Sequence, residues 1–378
     1  MPTSQRGLHR ELLELIRRSE GATRAALARD TGRSRSVVAH TVAELIAEGL
    51  VVDGAVAAQR ATRGRPPMQL RIVARSGYLG GVDIAHDGVA VAVASVSGLL
   101  LCRRQQPFDA DADGPGALAL ARRLLLQSFA QLGAPPTPLA LGLALPFPVH
   151  PASAMVQVPP ALASWQNLDP TALLSRSFGC TVRYANDANL GAAAEHRAEA
   201  SRPTAPQASL LYVRVGAGIG TGFVIGERVY AGANGLGGEI GHSAVVGGSI
   251  PCRCGRIGCL EAEVSPTALA RRIGLATVDD LPAAAAGRGG VALREAGHAI
   301  GRVVAEFSNF LDPARVVIGG SLGTLGGPIL EGVREAFAEH GHTEAVRRMP
   351  VSVSRLDGGA ELVGAVELAA QHLYAAAA

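Results

Sequence analysis

Between positions 238 and 261 the chain reads GEIGHSAVVGGSIPCRCGRIGCLE, which puts His242, Cys252, Cys254 and Cys259 into one short loop. Three of the five cysteines of the chain fall there in the pattern C-x-C-x4-C. Thiolates and a neutral imidazole are the donors zinc takes in four-coordinate sites, and a filled shell is structural. Gly247, Gly248, Gly255 and Gly258 leave the loop little core of its own, so a bound metal would hold it where packing does not. A chance clustering of cysteines or a redox pair is the competing reading.

Polar side chains of a second kind surround this loop. Glu239 precedes the histidine by three residues, Glu261 follows the last cysteine by two, and YANDAN brings Asn186 and Asp187 to the end of an expected strand. Carboxylates and an amide are the groups that hold vicinal hydroxyls of a sugar, and an aspartate against a hydroxyl is the usual base in phosphoryl transfer to it. Either glutamate alone would more often be a solvated surface residue. Their closeness to a metal anchor raises the case for a site.

These residues need a framework, and an internal echo supplies one. LGGVDIAHDGVAVAVASVSG (79 to 98) reads as two apolar strands around a turn, and LYVRVGAGIGTGFVIGERVY (211 to 230) repeats the shape. Helical patterns follow each, 116 to 132 and 291 to 311, so the expectation is an α/β body of two similar lobes, the second starting near 190–210. Gly216, Gly218, Gly220, Thr221 and Gly222 crowd the second hairpin, which suits either a phosphate loop or a close contact between lobes. The first hairpin turn is bulkier, with Ile84, Ala85, His86 and Asp87 before Gly88. RVVIGGSLGTLGG (315 to 327) is a buried strand running into a glycine turn, able to approach an adenosine or simply to lead into a helix.

Ahead of this body lies a basic head. Residues 1 to 75 hold thirteen arginines against seven acids, a net +6, while the remainder carries −3. Such a split suits a nucleic-acid-binding domain on a near-neutral body. Apolar residues at helical spacing from Leu8 to Ile16, a helix capped by Thr23 and ended at Gly32, and a helix capped by Ser34 with Val37, Val38, Val42, Leu45 and Ile46 inside give a helix-turn-helix. Arg33, Arg35, Ser36, His40 and Thr41 would then face the major groove of double-stranded DNA. GLVVDG and PMQLRIV read as strands flanking a wing, whose Arg63 and Arg65 would reach phosphates or a narrow minor groove. The domain expectation is a winged helix at 1–75 and the body at 76–378. No apolar run approaches the roughly 20 residues of a membrane span, and the N-terminus lacks a secretory h-region, so a cytoplasmic location is expected.

GGEIGH, CRCGRIGCLE, ANDAN and VGAGIGTGFVI together, behind a winged helix, resemble the ROK family of repressors and sugar kinases over nearly the whole chain. The resemblance implies a two-lobed actin-like ATPase fold with a zinc knot. It implies zinc on His242, Cys252, Cys254 and Cys259, and sugar contacts from Asn186, Asp187, Glu239, His242 and Glu261. Asp187 falls on the position of the catalytic base of the kinases. The phosphate motifs differ: DIAHD stands where those kinases have D-x-G-G-T, Ala217 replaces the threonine of GTGIG, and Pro146-Phe147 stands for a P-G turn. The first reading is therefore a transcriptional repressor with a sugar or sugar-derivative effector, acting as a homodimer or homotetramer. Its alternatives are a sugar kinase retaining a DNA-binding head, and a body that only oligomerises the head.

Overall fold

The computed structural model describes residues 8, 11–13, 15–16, 22–47, 51–54, 69–72, 77–200, 209–285, 287–356 and 359–377. In the head, the Thr23 hydroxyl accepts from the Ala26 amide at the start of helix Arg24–Asp30, and Gly32 at φ +64° turns the chain out of it. Helix Arg35–Ala47 begins where the Ser34 hydroxyl accepts from the Val37 amide. Its inner face is Val38, Thr41, Val42 and Leu45, the i, i+3, i+4, i+7 spacing of an amphipathic helix. Two expectations are corrected here. Val37 is 44% exposed, and Thr41 is buried, its hydroxyl donating to the Val37 carbonyl so that it needs no outside partner.

Strands β1 (Val51–Gly54) and β2 (Gln69–Ile72) pair antiparallel, as a wing requires. The Arg24 guanidinium donates to both oxygens of Asp53 on β1, at 2.7 and 2.9 Å, tying helix Arg24–Asp30 to the sheet. Arg63 and Arg65 lie outside the described residues.

The body is built from two five-stranded sheets of one design. In the first, β3 (Tyr78–Ala85), β4 (Gly88–Ser95) and β5 (Leu100–Pro107) form an antiparallel meander, and β6 (Ala140–Leu145) and β7 (Thr181–Asn186) add in parallel on the other side of β3. In the second, β8 (Leu210–Val215), β9 (Ile219–Ile225) and β10 (Arg228–Val229) repeat the meander, with β11 (Arg315–Gly319) and β12 (Val351–Val353) parallel beside β8. The repeat read from the two hairpins thus extends through both sheets. Every residue of β6 and of β8 is buried, as expected of central strands covered on both faces.

Two helices join the sheets. Helix Asp187–Ala200 packs on β8 and β9, and the last helix, Ala360–Ala377, packs on it and returns to β3 and β6. The return is close: a Cβ on Gly142 would stand 1.8 Å from the Ala365 carbonyl oxygen, so glycine lets the helix lie directly on β6. Leu362 and Val366 are sealed in this contact, each burial stabilising the fold by about 1.5–3 kcal/mol. The apolar core of the head, Leu12, Leu27, Val42 and Leu70, runs unbroken into Leu79, Ala92, Leu362 and Val366 of the body. No described helix is long and apolar enough to cross a membrane.

Candidate functional site: the interlobe cleft and its cysteine knot

The loop after β10 places four donors together. Cys252 Sγ lies 3.6 Å from His242 Nδ1, Cys254 Sγ lies 3.7 Å from Cys259 Sγ, and all four ligand atoms lie within 4.8 Å of one another. Tetrahedral zinc with ordinary Zn–S and Zn–N bonds separates two sulfurs by about 3.8 Å and sulfur from nitrogen by about 3.6 Å. The donor set and its spacing therefore fit a closed four-coordinate metal ion. Burial pushes the Cys252 thiol up to about 12, so a cation is needed to hold it as the thiolate that ligates. Gly255 and Gly258 adopt φ +89° and +76° to let the cysteines converge, and the loop is also tied by backbone pairing of Ala244 with Cys259 and Pro251 with Ile257 and by the Ser249 and Ile250 amides donating to Glu263.

The sugar-type residues meet in the cleft between the lobes, around a cavity of about 40 Å3 lined by Asn186, Asp187, Glu239, His242 and Glu261 among others. That is room for about three waters. Asp187 opens helix Asp187–Ala200, its Oδ1 accepting from the Ala188 amide at 2.6 Å where the helix dipole favours negative charge. Asn186 Oδ1 accepts from the Asn189 amide, and its Nδ2 donates to the Phe147 carbonyl. Glu261 is buried; one oxygen accepts from the Ile219 amide (3.0 Å), and the other stands 2.9 Å from Arg253 Nε as an ion pair. Glu239 is the freer carboxylate, 3.7 Å from His242 Nε2. Desolvation in the cleft, with repulsion from Asp187 and Glu261, pushes it up to about 7. His242 thus turns one ring nitrogen to the knot and the other to the cleft.

Several residues that the sequence reading did not single out as ligands or contacts organise this cleft. Arg253, between two cysteines of the knot, donates to Asp111 Oδ2 across the cleft (2.6 Å) and to the Ala217 carbonyl (2.7 Å). His86 Nδ1 pairs with the other oxygen of Asp111 at 2.6 Å. Burial raises the pKa of Asp111, but the hydrogen bond from His86 and the charges of His86 and Arg253 outweigh it and hold the carboxyl below its ordinary range. Arg214, on β8, lies 3.2 Å from Asp187 Oδ2 and 3.4 Å from Glu361 Oε1. A charged residue inside the apolar run LLYVRV, and an arginine inside C-R-C, were the available signals. Glu361 and Asp111 gave none, because their neighbours in space are remote in sequence.

The glycines of the second hairpin serve close packing. A Cβ would stand 2.8 Å from Ser321 Oγ at Gly216, 2.8 Å from His86 Cδ2 at Gly218 and 2.4 Å from the Ala188 carbonyl oxygen at Gly222. Gly220 faces Ala188, and the Thr221 hydroxyl donates to the Gly238 carbonyl (3.1 Å). Phe147 packs edge-on against Trp165 at 5.1 Å and is fully buried beside the cavity. In the head, Arg33, Arg35, Ser36 and His40 are exposed around the start of helix Arg35–Ala47, while Thr41 is inside.

Comparison with known proteins follows this division of the chain. Residues 80–372 match the model of the ROK family, and residues 5–52 match a winged helix-turn-helix DNA-binding model. A xylose repressor of Caldicellulosiruptor bescii is 26% identical over 381 aligned positions, with 94% of each chain covered. A kanosamine kinase of Amycolatopsis mediterranei is 35% identical over 62% of this chain and 78% of its own. Among solved structures, a ROK family transcriptional regulator described as a homolog of the E. coli MLC protein superposes with a TM-score of 0.74 at 20% identity over 98% of both chains, a likeness of fold. A ROK family glucokinase from Streptomyces griseus, in complex with glucose and AMPPNP, gives 0.65 at 25% identity, covering 78% of this chain and 99% of that one.

Proposed function

Because the chain belongs to the ROK family, we propose that it is a DNA-binding transcriptional repressor whose body senses a sugar in the interlobe cleft. The observation that carries this reading is the convergence of Asn186, Asp187, Glu239 and His242 in one cleft, on a chain whose head exposes Arg33, Arg35, Ser36 and His40. The relative named a xylose repressor, matched over 94% of each chain, supports a sugar effector. Zinc at His242, Cys252, Cys254 and Cys259 would be structural, and the protein would act in the cytoplasm as a homodimer on a palindromic operator. A sugar bound in the cleft would have to favour one degree of opening of the lobes over another, since a ligand shifts an equilibrium only through differential affinity. The continuous core from head to body gives that opening a route to the winged helix.

The test is selection of a binding sequence from random duplex DNA, followed by anisotropy titrations with and without a panel of neutral pentoses and hexoses. A selected site whose affinity changes with one sugar is the expected result. Arg33→Ala and Arg35→Ala should each weaken binding to the selected site by about 1–3 kcal/mol and relax the sequence preference there. No selected site, or an affinity that no sugar alters, would overturn the reading. ADP release over the same sugars should be absent.

A further inference from the structure

The carboxylates of the cleft have a buried cationic partner. Asp187 at the start of its helix and Glu361 on the last helix come from separate elements and meet at one point, and the buried Asp83 of β3 lies near enough to feel the charges there. Convergent carboxylate oxygens are what a divalent cation takes as ligands, and such a cation is what bridges the phosphates of a nucleotide. At that point stands the Arg214 guanidinium, only 7% exposed, 3.2 Å from Asp187 and 3.4 Å from Glu361. Its neighbours on β8 are all buried, and Glu361 is held for it by the Tyr212 hydroxyl, which donates at 2.6 Å. Asp83 keeps an oxygen shielded from solvent and without a hydrogen-bond partner.

The approach for phosphates is filled as well. His86 lies against Gly218, Ser321 lies against Gly216, and Arg253 takes the Ala217 carbonyl. The residues present therefore do not fit a magnesium nucleotide.

We propose that Arg214 is a resident cation, standing among Asp83, Asp187 and Glu361 where a phosphate-bound metal ion would otherwise sit, so that the cleft takes a neutral sugar without nucleotide. A fixed guanidinium stands within ion-pair distance of two of the carboxylates, and its positive charge repels any divalent cation. Asp187 consequently meets a sugar hydroxyl as a hydrogen-bond acceptor already paired to a cation, which orients the sugar and does not transfer its proton. Arg214 is a specificity-determining residue in this scheme: it sets which class of ligand the cleft admits. The argument rests on the sugar-sensing reading only in naming the ligand.

The experiment is calorimetric titration of the zinc-loaded full chain with Mn2+ and with Mn·ATP. Wild type should bind neither at millimolar concentration. Arg214→Met should gain Mn2+ binding on the order of a hundredfold tighter, the effect of removing one unit charge a few ångströms away. Adding Asp83→Asn to that variant should abolish the gain. Since Arg214→Met leaves uncompensated carboxylates, Arg214→Met with Glu361→Gln provides a charge-balanced version that retains Asp83 and Asp187 as ligands. Micromolar binding of Mn·ATP by wild type, or a folded charge-balanced variant that gains no Mn2+ affinity, would overturn the proposal. A chain that binds no sugar yet shows this Mn2+ pattern would sink the sugar reading and leave the resident cation standing.

Discussion

The two hairpins that open the two sheets share strand order and direction, yet their turns are held by different means. The turn between β3 and β4 is closed by a side chain, His86, which reaches Asp111. The turn between β8 and β9 has no functional side chain and is held from outside, by Arg253 on the Ala217 carbonyl and Glu261 on the Ile219 amide. A repeated backbone therefore does not impose a repeated chemistry. Strand pairing fixes where each turn sits, and the segments inserted after it decide what the turn contacts. For the first turn that segment is the loop carrying Asp111, and for the second it is the cysteine knot. The two supports meet, because Asp111 gives one oxygen to His86 and the other to Arg253.

If the knot braces the second turn, breaking the knot should loosen that turn and spare the first. Cys254→Ser removes one of four donors, and loss of a structural metal site is among the few single changes that cost more than about 4 kcal/mol. The expected outcome is loss of bound zinc, a large fall in Tm and faster hydrogen exchange at the Ile219 amide, with the amides of β3 and β4 keeping their protection. Equal exchange in both hairpins, or unchanged zinc content, would show that the knot is not the support of the second turn.

A medium effect is expected from Asp83, which belongs to the first hairpin but feels the charge of the arginine of the second. Burial pushes its carboxyl up to about 8, with repulsion from Glu361, Asp187 and Asp87 adding to this and the charge of Arg214 opposing it. In the unfolded chain the group ionises near its ordinary value, about 4. Between those two values the native state binds the extra proton, so Asp83 makes stability fall as pH rises from about 4 to about 8. Asp83→Asn removes that dependence: the Tm advantage of the variant over wild type should grow from pH 5 to pH 8 and then level off. An advantage that shrinks over this window would mean Asp83 is ionised in the folded protein.

These contrasts explain what was legible in the sequence. The knot could be read because His242, Cys252, Cys254 and Cys259 are neighbours along the chain, and their types admit few uses. The head could be read from its caps and glycine turn, since Thr23, Ser34 and Gly32 act on residues three or four positions away. Helix Arg35–Ala47 shows the limit of apolar patterning: counting threonine as polar put Thr41 outside, although a helical threonine can satisfy itself on its own backbone and take a core position. The Arg214 cluster was not readable. Asp83, Asp187, Arg214 and Glu361 converge only through two sheets and the return of the last helix, and no local rule registers a contact made that way.

The smallest expected effect tests the shared carboxylate itself. His86→Ala removes one hydrogen bond to Asp111 and leaves Arg253 with all its partners, so the loss should be about 1 kcal/mol, a few degrees in Tm at most. Arg253→Ala removes contacts to Asp111, Ala217 and Glu261 at once and should cost more. If Asp111 joins the two turns, the double variant should lose less than the sum of the single losses, because each substitution already weakens the anchor the other uses. Strict additivity in that cycle would mean that the two hairpins are held independently, with the cleft spanned by two unrelated contacts.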